Sequence, residues 1–214
     1  RVNGTRCLAE ALAGLETRPK TLVVASAVGF YGDRGDERLT EASPAGTGFL
    51  PEVCQAWEAA ADPARDAGIR VVHLRIGIVL TPAGGALGQM LLPFKMGVGG
   101  VIGTGRQYMS WVALDDVLGS TLHVLVTEDL EGPVNVTAPH AATNVEFTKT
   151  LGRVLGRPTV LPMPAFGARL AFGEMADALL ISGAKVEPAR LEDTNFQFAH
   201  PDLEGALRHL LGRS

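Results

Sequence analysis

Ser26 is the residue whose type and position best suit chemistry. It ends the run Thr21-Leu-Val-Val-Ala-Ser26, which is short, apolar on both faces and β-branched at its centre, as expected for a buried parallel strand. Open α/β sheets bind their ligands at the carboxyl ends of such strands. A glycine-bearing loop through Tyr31-Gly32 follows. The Ser26 hydroxyl can therefore face a ligand, or it can cap the loop.

Other patterns that carry chemistry are missing from the sequence. The five histidines are scattered and Cys7 and Cys54 lie 47 residues apart, so the spacing predicts no metal site. No Gly-x-Ser-x-Gly motif marks a hydrolase nucleophile. The glycine-rich run 97–105 lacks the Gly-Lys-Ser/Thr ending of a phosphate loop, and we interpret Gly103-Thr-Gly105 as the turn of a hairpin over Val101–Val112.

The elements around Ser26 follow a strand, helix, strand pattern. Apolar spacing predicts a helix over Arg1–Glu16, and composition predicts another over Phe49–Ala67. We expect Pro63 to kink or split the second helix. A second buried strand, Ile69–Ile76, comes next. Such a unit has a right-handed crossover and parallel strands, so the two strands should share one sheet.

The remainder of the chain predicts shorter elements. Asp115-Asp116 is expected to cap a helix over Val117–Val126. From Glu131 onward the predicted elements are short and separated by prolines, which favours a small α+β subdomain packed on an α/β core. Its expected elements are strands at Pro133–Thr137, Thr159–Leu161 and Asn195–Phe198 and helices at Asn144–Leu155, Ala165–Phe172, Glu174–Ser182 and Asp202–Leu211.

Composition excludes several classes of protein. With 214 residues, 46% hydrophobic and 20% charged, the chain is not disordered, and its net charge of −4 argues against a nucleic-acid partner. The uncharged run Ile76–Phe94 contains four glycines and two prolines, so no membrane span is expected. Two cysteines without a signal peptide indicate a cytoplasmic protein.

Several motifs occur in an order that resembles a known family. They are Val2-Asn-Gly-Thr5, Ala25-Ser-Ala-Val-Gly-Phe-Tyr-Gly32, Leu74-Arg-Ile-Gly-Ile-Val79, Gly103-Thr-Gly-Arg-Gln107 and Ser110-Trp-Val-Ala-Leu-Asp-Asp116. The set resembles extended short-chain dehydrogenase/reductases. More narrowly, the chain is similar to their atypical epimerase-family branch, the NAD-dependent epimerase/dehydratase-like proteins. The narrower signatures are Phe49–Glu58, Met90–Lys95 and Gly173–Met175.

This resemblance implies a fold and a cofactor. The fold is α/β, a partial Rossmann-type doubly wound parallel sheet with a small C-terminal α+β subdomain. We expect residues 1–130 to form the later portion of a dinucleotide-binding domain and residues 131–214 to form the subdomain. The cofactor is NADP(H) or NAD(H), and the substrate is a small polar molecule.

The resemblance also implies roles for individual residues. Asn3 and Ser26 match two members of the family's catalytic tetrad, and Arg6 matches a basic position near the cofactor phosphates. Asp116 matches the carboxylate that ends an aromatic-x-His-x-x-Asp stretch, with Ala113 in place of histidine. The segment 77–79 matches the strand end whose backbone passes the nicotinamide. The expected cofactor-binding residues are Arg6, Ala25, Ser26, Arg75, Gly77, Ile78 and Val79.

Two departures from the family pattern put its usual chemistry in doubt. Leu50 and Cys54 occupy the spacing of the Tyr-x-x-x-Lys pair, and neither can replace an activated phenol. Tyr31 and Tyr108 are candidate substitutes, but we interpret both as packing residues because an unactivated phenol is a poor base at neutral pH. We interpret Glu58 as a solvated helix residue or one that interacts with the helix dipole at an N-terminus.

The second departure is that no Gly-x-Gly-x-x-Gly motif occurs in the sequence. We expect the chain to begin after that motif, to bind a dinucleotide weakly on its own, and to associate with itself through an exposed sheet edge.

The sequence therefore predicts a nicotinamide-cofactor-binding, epimerase/dehydratase-like oxidoreductase. The alternative is a non-catalytic regulatory or redox-sensing module that binds the cofactor without turnover. Both depend on Ser26 standing beside an open cleft, and on the strands from Thr21 and Ile69 sharing one sheet.

Overall fold

The computed structural model describes residues 1–160 and 183–213 of the chain. The helices of these ranges are α1 (Val2–Ala13), α2 (Phe49–Ala59), α3 (Asp62–Asp66), α4 (Gly85–Lys95), α5 (Leu114–Val126), α6 (Asn144–Leu155), α7 (Ala189–Asp193) and α8 (Leu203–Leu210), with a 3-10 helix at Val28–Tyr31. The strands are β1 (Thr21–Ala27), β2 (Arg38–Leu39), β3 (Arg70–Ile76), β4 (Ile78–Leu80), β5 (Tyr108–Met109), β6 (Trp111–Ala113), β7 (Gly132–Val136), β8 (Ala142–Thr143) and β9 (Lys185–Val186).

A three-stranded parallel sheet in the order β1-β3-β7 forms the centre of the fold. The prediction that the first two buried strands lie parallel in one sheet is therefore confirmed. In the register of this sheet Ser26 lies beside Arg75, and Arg75 lies beside Asn135. One polar residue from each strand thus stands in a single row near the carboxyl edge.

Helices cover both faces of this sheet. Leu22 and Val24 of β1 pack in one apolar cluster with Ala9 of α1 and Ala64 of α3. The strand residues that point the other way, such as Val72, pack in a second cluster with helix residues from α5 and α7. Because successive strand side chains alternate between faces, this pattern is that of a doubly wound sheet, as predicted.

The crossover between β1 and β3 contains two helices rather than one. The helix predicted over residues 49–67 is divided into α2 and α3, and Pro63 lies in the first turn of α3, where its missing N–H costs no helical hydrogen bond. Gly68 follows α3 with a φ of +83°, a left-handed conformation that glycine adopts without strain. The predicted split at Pro63 is confirmed.

Longer-range pairings connect the loops to the sheet edge. β4 runs parallel to β6, β2 runs parallel to β9, and β5 is antiparallel to β8. The β2–β9 pair joins the loop after β1 to the C-terminal part of the chain. Strand β7 follows the predicted domain boundary at residue 131 yet completes the central sheet.

The structure corrects four local predictions. Val101–Val112 is not a hairpin, because β5 and β6 pair with β8 and β4, although a turn does follow Ile102, whose carbonyl accepts from Gly105 N at 3.1 Å. The Asp115-Asp116 pair lies inside the first turn of α5, whose N-cap is Ala113. Residues 195–198 and 159–160 form no strand, because neither segment has a strand partner among the described residues. The predicted helices 165–172 and 174–182, and Leu161, lie outside the described residues.

Among the described helices, none combines the length and the apolar character needed to cross a bilayer. The uncharged run 76–94 is divided between β4, a turn and α4.

Candidate functional site

A cavity of about 400 Å³ lies at the carboxyl ends of β1 and β3. Its walls come from the segment after each strand, from α2, from the start of α4 and from the C-terminal part of the chain. The lining residues are Ala27, Val28, Gly29, Gly32, Leu50, Cys54, Ile76, Gly77, Ile78, Val79, Gly85, Ala86, Tyr108, Ser110 and Ala184. Apolar side chains dominate, as in sites that hold small organic ligands.

Gly77 sits where the backbone has no room for a side chain. A Cβ there would lie 2.3 Å from the carbonyl oxygen of Ser110 and 3.0 Å from the methyl group of Thr137. On either side, Gly77 N donates to Val136 O at 3.0 Å and Ile78 N donates to Ser110 O at 2.8 Å. The chain from β3 to β4 is thereby held close to β6 and β7, and it lines the cavity.

Ser26 does not face this cavity. Its side chain is buried, with 4% of the residue exposed, and its hydroxyl donates to Glu58 Oε1 at 2.7 Å. Ala27 lines the cavity instead, since neighbouring residues of a strand point to opposite faces. Ser26 lies near the carboxyl end of β1 as predicted, one residue before its last residue Ala27, but the expectation of an open position for its hydroxyl is wrong because that hydroxyl is bonded to Glu58 of helix α2.

Glu58 is the centre of a buried polar network. Arg75 donates to it twice, from Nε to Oε1 and from Nη2 to Oε2, each at 2.9 Å. The guanidinium also lies over the Phe30 ring, 3.4 Å from its centroid, and donates to the Tyr31 hydroxyl at 3.1 Å. The interpretation of Glu58 as a solvated residue is wrong, because its carboxylate is paired with a buried cation.

The network continues through Tyr31 to the third strand. The Tyr31 hydroxyl donates to Asn135 Oδ1 at 2.7 Å, and both residues are fully buried. Burial raises the pKa of Tyr31, and the nearby Arg75 charge only partly offsets this effect. A neutral, fully bonded phenol cannot exchange a proton with a ligand, so Tyr31 acts in packing.

Arg75 keeps its charge inside the fold. Burial works to lower its pKa, but the hydrogen bonds that Arg75 donates to Glu58 and Tyr31 outweigh burial, and the pKa is raised. The guanidinium therefore stays charged inside the fold. Arg75 was predicted to bind cofactor; its side chain is committed to α2 and does not line the cavity.

Cys54 and Leu50 line the cavity from α2, one helical turn apart. Their spacing matches that of the family's Tyr-x-x-x-Lys pair, and both side chains lie on the face of α2 that lines the cavity. Burial, and then the charge of Glu58, raises the pKa of the Cys54 thiol. The thiol is protonated at neutral pH and is a weak nucleophile.

The remaining predicted residues lie away from the cavity wall. Asn3 and Arg6 are exposed on α1, and Ala25 is exposed on β1. Helix α1 is joined to α2 by a hydrogen bond from Trp57 Nε1 to Thr5 Oγ1 at 2.9 Å. Of the predicted cofactor-binding residues, the structure brings only the segment 77–79 to the cavity.

Tyr108 lies where this apolar cavity meets a second, polar one. The second cavity is lined by Arg38, Tyr108, Pro139, His140, Ala141, Glu146, Lys185 and Glu187. Lys185 Nζ lies 5.5 Å from the centroid of the Tyr108 ring. Arg38 is neutralised by a bidentate pair with Glu187. Sequence reasoning missed Lys185, whose only signal was its charge.

Ser110 shapes the cavity but has no free hydroxyl. Its Oγ donates to Ala184 O at 2.6 Å and accepts from Val186 N at 3.0 Å. These two bonds anchor β9 against the end of β5. The C-terminal part of the chain therefore contributes one wall of the cavity.

Comparisons with known proteins agree with this architecture. An epimerase family protein of Mycobacterium bovis is 44% identical over 213 residues, an alignment that covers 100% of this chain and 70% of the relative. The human epimerase family protein SDR39U1 is 37% identical, over 99% of this chain and 72% of the relative. Residues 163–210 match a family described as a domain of unknown function, DUF1731.

Solved structures extend the agreement to three dimensions. A crystal structure of human SDR39U1 (isoform 2) with NADPH has a TM-score of 0.92 at 36% identity, covering 100% of this chain and 72% of the other. A UDP-glucose 4-epimerase from Thermus thermophilus, in complex with NAD, has a TM-score of 0.72 at 21% identity, covering 99% and 70%, and shares the fold.

The chain thus belongs to the epimerase family, the atypical short-chain dehydrogenase/reductase branch that its motifs resemble. The predicted Rossmann-type fold is confirmed.

Proposed function

We propose that this chain binds the nicotinamide end of NADP(H) or NAD(H) in the apolar cavity. The observation that carries the proposal is the position of that cavity, at the carboxyl ends of two neighbouring parallel strands and beside the backbone of residues 77–79. Ligands of open α/β sheets bind at this edge. The human relative, whose structure contains NADPH, supports the same ligand class.

Some residues of the chain would contact the cofactor, and others would hold those residues in place. Gly77, Ile78 and Val79 line the ring site. Ser26 and Arg75 act through Glu58, which holds α2 and hence the cavity wall. Asn3, Arg6 and Ala25, exposed outside the cavity, are assigned to the remainder of the dinucleotide.

Binding by this chain alone should be weak. The 214 residues contain no Gly-x-Gly-x-x-Gly loop whose amides and helix dipole would receive the pyrophosphate. The cavity nevertheless suits the nicotinamide ring by itself. Reduced nicotinamide mononucleotide should therefore bind this chain, and NADPH should bind it only slightly more tightly, through Asn3, Arg6 and Ala25.

Saturation-transfer NMR tests the proposal because it detects weak ligands and resolves their parts. We expect transfer from the chain to be strongest at the nicotinamide protons of NADPH. Ala27→Leu, which fills the cavity, should remove it, and Ala56→Leu, at an exposed position of α2 outside the cavity lining, should not. Transfer confined to the adenine protons, or unchanged by Ala27→Leu, would contradict the proposal.

For the chemistry, we propose hydride transfer to a carbonyl of a small polar substrate. When bound, the reduced cofactor would supply the hydride, and the carbonyl oxygen would need a proton to become an alcohol. Of the polar side chains that line the cavity, the Ser110 hydroxyl is committed to other hydrogen bonds, and the raised pKa of the Cys54 thiol makes it a weaker acid than an ordinary thiol. In place of the packing role that the sequence suggested for it, we assign the proton to Tyr108, with the Lys185 ammonium beside its ring.

Oxidation of NADPH with a panel of carbonyl compounds tests this assignment. Tyr108→Phe should lower turnover at least tenfold while nicotinamide saturation transfer stays unchanged. Equal turnover by both proteins would exclude Tyr108 as the proton donor.

The alternative, a non-catalytic module that senses the cofactor, is favoured by one observation. Leu50 and Cys54 stand on the cavity wall at the positions of the family's activated pair; leucine has no acidic proton, and the raised pKa of Cys54 makes its thiol a weak acid. Cofactor binding without turnover of any carbonyl would support this alternative over the enzyme.

A further inference from the structure

Three side chains far apart in sequence meet on the surface of the C-terminal part of the fold. One oxygen of Asp115, Oδ2, lies 3.0 Å from His209 Nε2 and 3.5 Å from His200 Nε2. The two imidazole rings stack with centroids 4.2 Å apart and an interplanar angle of 28°. We call Asp115, His200 and His209 the histidine cluster.

Rigid elements hold each member of the histidine cluster. Asp115 lies in the first turn of α5 and His209 in the last turn of α8. His200 lies in a loop, but the neighbouring Asp116 fixes that loop by accepting from Ala199 N at 2.7 Å and from His200 N at 3.1 Å. Asp116 is buried, so these bonds are shielded from water.

We propose that the histidine cluster binds one zinc-like divalent transition metal ion. Zinc binds imidazole nitrogen and carboxylate oxygen at about 2.0 to 2.2 Å, so neighbouring ligand atoms of a tetrahedral site lie about 3.3 Å apart. The two distances from Asp115 Oδ2, 3.0 and 3.5 Å, lie on either side of that value. All three ligand atoms lie within 4.8 Å of one another, which leaves the ion a common centre.

The arrangement exceeds what a simple hydrogen bond needs. One imidazole N–H at 3.0 Å already satisfies a carboxylate oxygen. Here a second imidazole, stacked on the first, directs its own Nε2 at the same oxygen. Two nitrogens and one oxygen that converge on a point form a set of ligands typical of zinc and of other divalent transition metals.

The fourth coordination position faces solvent. Asp115 and His209 have side chains that are about half exposed, 49% and 55%, so a water molecule can complete a tetrahedron. The ion would join α5 of the α/β core to α8 and its preceding loop, which belong to the segment matched by DUF1731. Metal binding should thus stabilise the attachment of this segment.

Local spacing gave no sign of this site, which is why the sequence predicted none. His200 and His209 are separated by most of α8 and its preceding loop, and Asp115 is more than 80 residues earlier. Only the fold brings them together: α8 packs on α6, and the 199–200 loop is bonded to Asp116 of α5.

Isothermal titration of the tag-free chain with zinc chloride at neutral pH tests the proposal. We expect one ion per chain with micromolar affinity, and a thermal unfolding midpoint that rises when zinc is added. His209→Ala and Asp115→Asn should each weaken binding at least tenfold. His140→Ala removes an exposed histidine outside the cluster and should leave both measurements unchanged.

Asp115→Asn keeps the shape of the side chain, so it serves if His209→Ala fails to fold. With Co²⁺ as the probe, the wild-type chain should show the intense d–d absorption of a four-coordinate ion, and Asp115→Asn should lose it. The proposal is wrong if no saturable binding occurs, or if binding survives both cluster variants.

Discussion

The guanidinium of Arg75 and the carboxylate of Glu58 form a bidentate ion pair beneath the cavity, with two hydrogen bonds of 2.9 Å. Their side chains are 5% and 13% exposed. The pair connects β3 to α2, and the Ser26 hydroxyl connects β1 to the same carboxylate. Because α2 also carries Leu50 and Cys54, the pair fixes one wall of the cavity.

Removing one partner of this pair should be strongly destabilising. Arg75→Met leaves the Glu58 carboxylate buried without its cation, which costs about 3–5 kcal/mol. Arg38→Met breaks the exposed bidentate pair with Glu187 and should cost far less, because exposed ion pairs contribute little to stability. Urea unfolding at neutral pH measures both values. Similar losses from the two variants would mean that burial does not distinguish these pairs.

The same pair can be removed as a unit. Glu58→Leu combined with Arg75→Met leaves no unpaired charge in the interior, so the double variant should lose less stability than the sum of the single ones. Strict additivity in a double-mutant cycle would argue that the two side chains do not interact in the folded protein.

The sequence predicts those parts of the fold that local patterns determine. β1 and β3 follow from short apolar runs, and α6 follows from Thr143, which caps the helix together with Glu146 in a capping box. Family resemblance pointed to residues 77–79, and the structure places them on the wall of the cavity; that they bind a cofactor stays a prediction. These signals lie within a few residues of the feature they predict.

Features that depend on distant partners were not predictable in this way. Glu58 is 32 residues from Ser26 and 17 from Arg75, so nothing beside it signals an ion pair. β5 and β6 follow a good turn, yet they pair with β8 and β4 because those strands offer matching edges. The sequence correctly placed Ser26 near the end of a strand. The face of the sheet that its side chain occupies, however, changes with a shift of one residue in register.

Gly77→Ala should destabilise the protein and disturb the cavity. The new Cβ would lie 2.3 Å from a backbone oxygen, which cannot rotate away as a side chain can. Overpacking of this kind costs about 1–3 kcal/mol. At Gly4 in α1 no heavy atom lies within 4 Å, so Gly4→Ala should stabilise by roughly 0.5–1 kcal/mol through helix propensity. Denaturant unfolding measures the change in the free energy of unfolding of each variant. A loss of stability for Gly4→Ala, or a gain for Gly77→Ala, would refute these predictions.

The two cysteines should differ in their rate of alkylation. Cys7 is exposed on α1, whereas Cys54 is buried and its pKa is raised by burial and by Glu58. Because the thiolate is the reactive form, iodoacetamide at neutral pH should label Cys7 at least tenfold faster. Mass spectrometry of the two peptides measures the rates, and labelling in denaturant is the control. Equal rates in the folded protein would contradict the buried position of Cys54.

His73 should make the protein less stable in mild acid. It lies in β3, only 5% exposed, and within the described residues its Nδ1 has no hydrogen-bond partner. Burial lowers its pKa; Arg75 and Arg65 act in the same direction, while Glu58 and Asp62 oppose it.

The sign of the effect follows from linkage. The unfolded chain takes up this proton near pH 6.5, but the folded chain does so only at lower pH. The unfolding free energy should therefore fall as pH drops from about 6.5 toward the folded pKa, and this group should contribute no further change below it. His73→Gln, which does not titrate, should show a shallower decline in urea unfolding over that range, with a constant offset above pH 7. Parallel curves for the two proteins at all pH values would show that His73 takes up its proton equally in both states.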